Sequence, residues 1–156
     1  GIEKDYVAKV DGYNSRMDEI QAAILNYKLK KLDANIFSRK KIAEKYYNNI
    51  ESSIIEPIPQ PNNCSCSYYQ IPFYFKKNRN SFLKDLEFNG VKANVCYKTP
   101  IHLMPAYKNL GYKKGDLPIT EFHCDHTISL PVFDYMPQNL VDETVEKINQ
   151  ICKNYE

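Results

Sequence analysis

Met17, Ile20, Ala23, Ile24 and Tyr27 recur at steps of three and four residues, and Leu32, Ile36, Ala43, Tyr46 and Ile50 carry the stripe onward. That is the period of an amphipathic helix. Ser15, with Asp18 three positions on, supplies a capping signal at its start. No Gly or Pro interrupts residues 16–51, so the pattern predicts one long helix, roughly 50 Å at about 1.5 Å per residue. A domain of this size does not need such a length, and part of the helix is expected to pack on a partner subunit or another domain. Pro57, Pro59 and Pro61 then end the periodicity and form a connector.

Beyond the prolines the pattern shortens. Tyr68 to Phe75 is aromatic and β-branched, which predicts a strand, with Pro72 placing it at a sheet edge or a bulge. Ser81 to Phe88 reads as a short helix capped by Ser81 and stopped by Gly90. Val91 to Val95 reads as a strand, Lys98 to Pro118 as a turn-rich segment, Ile119 to His126 as a helix and Thr127 to Leu130 as a strand. Pro137 to Lys153 closes the chain as a helix with Leu140, Val141, Val145, Ile148 and Cys152 inward. These elements predict an α/β class chain, specifically an α+β small domain: a long N-terminal helix, then a small sheet packed with helices. The expected division is an N-terminal segment with its long helix over 1–52 and a small domain over 53–156.

Charge and composition narrow the partners. The 156 residues carry 21 basic and 19 acidic side chains, a formal charge of +2, which gives no broad attraction to nucleic acid or an anionic membrane. No apolar run approaches the length of a membrane span, and the opening residues have no signal core, so the chain is expected to be cytoplasmic. Five scattered cysteines fit reduced thiols better than a disulfide framework.

Most candidate chemistry has a plainer explanation. His123 and His126 flank Cys124 and Asp125, but a zinc site needs three or four converging ligands, and Cys64 and Cys66 lie far away in sequence; no metal is expected. A nucleophile from Cys96 or Cys124 with His102 lacks local support, since buried free cysteine behaves as a small hydrophobe. Tyr27, Tyr46 and Tyr47 fall on helical faces and Tyr69 and Phe73 share strand parity, so packing accounts for them. Two segments remain. Gly12-Tyr13-Asn14-Ser15-Arg16-Met17 sets an amide and a guanidinium at a helix start, where free N–H groups favour an anion such as phosphate. Tyr97-Lys98-Thr99-Pro100-Ile101-His102-Leu103 is a proline-fixed turn that presents Lys98 and His102 together.

These segments resemble the DegT/DnrJ/EryC1/StrS family of sugar aminotransferases, whose fold resembles that of aspartate aminotransferase. Gly12 to Ala23 is similar to the family's Gly-x-Asn-x-Arg-Met-x-Glu-hydrophobic-Gln-Ala-Ala block. Arg39, Ala43 and Tyr46 repeat its Arg-x-x-x-Ala-x-x-Tyr spacing, and Tyr97 to His102 resembles its Tyr-x-x-Pro-x-His turn. Pro118 with Glu121, and Ser129-Leu130-Pro131, resemble its Pro-x-x-Glu and Leu-Ser-Leu-Pro signatures, with Ile128 replacing the first leucine. The resemblance implies a homodimer, self-associated through the long helix, with pyridoxal 5′-phosphate at the subunit interface. It implies that Asn14 reaches the cofactor phosphate with Arg16 beside it, and that His102 and Lys98 face the nucleotide-sugar substrate, with glutamate as amino donor. The catalytic lysine and the carboxylate at the pyridinium nitrogen lie, in the family, upstream of the Asn-x-Arg block. Lys4 and Lys9 match no such motif, so no residue here is assigned as catalytic. The chain is thus expected to be the C-terminal part of an enzyme of amino-sugar and cell-surface polysaccharide biosynthesis, inactive alone. The alternative is a non-catalytic binding or regulatory module derived from the same fold.

Overall fold

The computed structural model describes residues 11–13 and 15–156, and the chain divides into two units, Gly1–Ala34 and Asn35–Glu156. In the first, Asp18 rather than Ser15 is the N-cap of helix α1, Glu19–Leu29, and its carbonyl accepts the first bond, from Ala22 N at 2.9 Å. The predicted single helix is two. Lys31 N folds back on Lys28 O at 3.0 Å, and α2 runs from Leu32 to Asn49. Lys28, Lys30 and Lys31 explain the stop, because cations favour a helix C-terminus while like charges a turn apart oppose continuation. No residue of α1 is buried; Ile20, Ile24, Leu25, Tyr27 and Leu29 are all exposed.

The second unit is built on an antiparallel sheet in the order β1 (Ile55–Pro57), β2 (Ile71–Phe75), β3 (Thr127–Leu130). Side chains alternate between the faces of a strand, and the register pairs like with like: Ile55 with Phe75, Phe73 with Ile128, Ile71 with Leu130. These six form one face, buried under Ile42, Ala43 and Tyr46 of α2, Phe82 and Leu86 of α3 (Arg79–Phe88) and the Val141, Val145, Ile148 stripe of α5 (Gln138–Cys152). Phe75 and Phe82 stack at 4.0 Å, with the Tyr155 ring edge-on to both. The opposite face carries Tyr74, Thr127 and Ser129.

Several predicted boundaries shift for identifiable reasons. Pro72 lies in the central strand, not an edge. Its carbonyl accepts Ile58 N at 3.3 Å, just beyond the last residue of β1, so the N–H that proline lacks would point the same way, and the one bond it forgoes falls where the β1–β2 pairing ends rather than within it. Tyr69 precedes the strand and is 79% exposed. Residues 91–95 form no strand: Val91 N is spent on Leu86 O and Ala93 N on Val91 O, which leaves Asn94 alone to pair with Ser129. Asn78, not Ser81, caps α3, accepting Ser81 N at 3.1 Å. Gly90 is its stop: at φ +79, Gly90 N bonds Glu87 O and Val91 N bonds Leu86 O, a Schellman ending that favours glycine. Leu140 stays outside the α5 stripe at 38% exposure. The turn-rich segment contains two 3-10 turns, Ile101–Leu103 and Pro105–Leu110, and α4 spans Pro118–His126.

The motif Arg39, Ala43, Tyr46 ties α2 to the loops. Arg39 donates Nε to Ser67 O at 2.9 Å and pairs with Asp134. Ala43 has no exposed surface, and Tyr46 donates its hydroxyl to Pro131 O at 2.9 Å. Burial pushes the Tyr46 phenol up to about 12, so it remains a donor at any ordinary pH. Tyr46→Phe, which leaves that carbonyl short of a donor but keeps the ring, is expected to cost about 1 kcal/mol. Phe82→Ala, which empties a stacked core site, is expected to cost about 3–5 kcal/mol. Urea unfolding of the two variants beside the wild type measures both.

Candidate functional site

On the polar face of the sheet lies a cavity of about 410 Å³ with two walls. One is made by Val95, Cys96, Tyr97, Thr99, Pro100 and Ile101; the other by Thr120, His123 and Cys124 of α4, with Thr127 and Ile58 at its edges. The Asn94–Ser129 bridge, with bonds of 2.9 and 2.7 Å, lays the first wall alongside β3, and Cys96 Sγ comes to 3.7 Å from Ser129 Oγ. The second wall is fixed at both ends. Pro118 at the first turn of α4 needs no N–H there, while Arg79, only 7% exposed, donates to Cys124 O in the last turn and to Asn80 Oδ1, which suits a cation to the helix C-terminus.

Polar groups of the second wall are committed. A His123 ring nitrogen meets the Tyr74 hydroxyl at 3.1 Å, and the Tyr74 ring packs on Phe122 and His123. His126 turns away, its Nδ1 at 2.9 Å from Phe122 O. Burial pushes the Cys124 thiol up, the nearby Asp125 adding to it, so it stays protonated and unreactive.

The walls meet through one carboxylate. Glu121 Oε1 accepts Gly115 N at 2.7 Å and faces His102 Nε2 at 3.1 Å. The side chains of His102 and Glu121 are 5% and 12% exposed. A carboxylate can only accept, so Nε2 carries the proton, and His102 Nδ1 is buried with no partner. Gly115 N–H, and after it His102, hold the Glu121 carboxyl below the usual range.

The sequence-predicted residues are placed unevenly. Asn14 lies outside the described residues. Arg16 is exposed just ahead of α1. Lys98 and His102 are not brought together: His102 is buried against Glu121, whereas Lys98 is exposed and lines a separate depression of about 350 Å³ with Leu83, Glu87 and Val91. Nor does His102 line the cavity that holds Cys96 and Cys124. Thr120, Tyr74 and Thr127 went unnoticed in the sequence. For Tyr74 and Thr127 the signal was their alternation with Phe73 and Phe75 and with Ile128, which marks a second sheet face; Thr120, on α4, carries no such signal.

A family model described as the DegT/DnrJ/EryC1/StrS aminotransferase family matches residues 1–149. Among relatives, the chain is 32% identical over 157 residues to a pleiotropic regulatory protein of Geobacillus stearothermophilus, covering 99% of the chain and 42% of that protein. It is 31% identical to dTDP-3-amino-3,4,6-trideoxy-alpha-D-glucose transaminase of Micromonospora megalomicea subsp. nigra, covering 94% and 40%. Among solved structures, that of S. venezuelae DesV in complex with a ketimine intermediate superposes with a TM-score of 0.86 at 23% identity, covering 96% and 40%; this likeness is one of fold. Other structural neighbours are solved in PLP- and PMP-forms. The chain spans about two fifths of the length of the relatives it matches.

The carboxylate that joins the walls has a pH signature. A carboxyl lowered in the folded state contributes stability that is full above its unfolded value, about 4.3, and is lost as pH falls through the folded one. The stability advantage of wild type over Glu121→Gln is therefore expected to be constant at neutral pH and to shrink below about pH 4. Urea midpoints of both proteins between neutral and acid pH check this; an advantage that persists unchanged in acid contradicts it.

Proposed function

Because the chain belongs to the DegT/DnrJ/EryC1/StrS aminotransferase family, we propose that it is the smaller, C-terminal part of a pyridoxal-phosphate enzyme that aminates a nucleotide-linked keto-sugar. The amino donor in this reading is glutamate, and the product enters amino-sugar and cell-surface polysaccharide synthesis. The observation that carries it is the family match across residues 1–149, supported by relatives that are sugar transaminases. When bound, the cofactor supplies the electron sink that lets an amino group move between carbon skeletons.

The described residues fit a holding role towards that group rather than a reacting one. Among the described residues no lysine lines the cavity, so the amine that carries the cofactor is assigned to the part of the enzyme outside them, and the chain alone is expected to be inactive. Asn14 and Arg16 are assigned to the phosphate: Arg16 is an exposed cation beside the start of an eleven-residue helix, where free N–H groups favour an anion. Tyr97, 73% exposed at the mouth of the cavity, and the exposed ammonium of Lys98 are assigned to the sugar nucleotide. His102, with little exposed surface, contributes through the turn that it holds. The exposed apolar side chains of α1 support self-association into a homodimer. No helix among the described residues is long and apolar enough to cross a membrane, and a cytoplasmic enzyme is the proposed setting.

A second reading, a non-catalytic binding or regulatory module, draws on the relative named a pleiotropic regulatory protein. Reading the DNA upstream of the Gly1 codon in frame separates the two. A lysine-bearing cofactor domain there supports the enzyme; a stop followed by a start codon favours the module. In the longer protein, Asn14→Ala is expected to weaken cofactor binding about tenfold or more, the worth of one hydrogen bond to a charged group. Unchanged affinity in a cofactor titration removes Asn14 from the phosphate.

A further inference from the structure

We propose that His102 and Glu121 are positioning residues whose bond holds the turn-rich segment against α4 and so sets the width of the cavity between them. Between Tyr97 and Leu117 only Pro100 and His102 are buried. Leu110, Tyr112 and Leu117 are exposed, and the segment contains no strand, only two 3-10 turns. It has few packing contacts to keep it in place, yet it carries Tyr97, Thr99 and Ile101 into the cavity wall. Glu121 Oε1 fastens it twice, at His102 Nε2 and at Gly115 N, from a helix that itself supplies Thr120 and His123 to the facing wall. One oxygen of α4 thus spans both walls.

The imidazole is retained for this bond. An aliphatic side chain would fill the site of His102 without burying an unpaired acceptor, as Nδ1 now is, and such an atom is costly. The compensating gain is on the other nitrogen, in a charge-assisted bond to a carboxylate that is also held by Gly115 N. Gly115 sits at φ +98, a conformation that L side chains rarely adopt, so the second fastening depends on a glycine.

Cys96 lies in the wall that this bond holds and reports on its position. In the 156-residue chain, labelling by a small maleimide, followed site by site by mass spectrometry, is expected to be about tenfold faster at Cys96 in Glu121→Ala, the worth of a hydrogen bond to a charged group. Glu121→Gln, whose amide oxygen accepts both bonds, is expected to restore most of the protection. Buried Cys152 and exposed Cys64 should keep their wild-type rates. A general loss of structure instead speeds Cys152 together with Cys96, and that outcome, or an unchanged Cys96 rate, overturns the proposal. Should Glu121→Ala not fold, His102→Leu removes the bond while keeping apolar bulk, and the same selective rise at Cys96 is expected of it. What the cavity holds rests on the reading above. The labelling needs neither cofactor nor sugar, so the clasp can fail while that reading stands, and the reverse.

Discussion

β2 is paired on both sides, and the alternation of its side chains is imposed on everything that packs against it. Ile71, Phe73 and Phe75 are wholly or almost wholly buried, and through the register they draw Ile55, Ile128 and Leu130 to the same side. Each fully buried aliphatic or aromatic side chain contributes on the order of 1.5–3 kcal/mol, so this face commits α2, α3 and α5 to one side of the sheet. The residues between them, Tyr74, Thr127 and Ser129, are then free of the core. A one-residue slip would exchange the two sets, and it would remove the cavity together with the core. The site therefore owes its location to the packing of the face it does not occupy.

The same division explains the helix motif. Arg39, Ala43 and Tyr46 lie three and four residues apart on α2, and none of them touches the cavity. Arg39 holds Ser67 and Asp134, Tyr46 holds Pro131, and Ser38 Oγ accepts Tyr135 N at 2.9 Å. Tyr68 and Tyr135, the two non-glycine residues at positive φ among those described, belong to these anchored loops. The loops before β2 and after β3 are thereby pinned at the strand ends, which keeps the short sheet in register where its few ladder bonds alone would hold it weakly.

What was legible in the sequence follows from range. The α5 stripe, the Thr127–Leu130 strand and the Gly90 stop are local signals, decided by periodicity or by one backbone angle, and each stands close to where it was expected. The break at Lys30 and Lys31 was missed because an apolar stripe continues through it, while the helix responds to the charge that accumulates there. Pro72 in a central strand was missed because the point at which β1 ends, opposite the N–H that proline lacks, is a tertiary fact. The site was half legible. The turn from Tyr97 to His102 stood out by composition, but which of its side chains face outwards depends on Glu121, nineteen residues along the chain from His102, and no local pattern pairs them.

The state of the titratable groups decides what such a cavity can do. His123 is bonded to Tyr74, His102 to Glu121, and the Cys124 thiol is pushed up by burial. The bonded nitrogens of His123 and His102 hold the walls, the free Nδ1 of His102 is buried away from the cavity lining, and the Cys124 thiol stays protonated. Nucleophilic or general-base catalysis asks for the opposite: a group with an unspent lone pair in reach of the substrate. Orientation asks for this arrangement, with committed polar groups and apolar surfaces of Val95, Pro100 and Ile101 between them. Among the described residues this unit therefore supplies fixed walls rather than a reacting group.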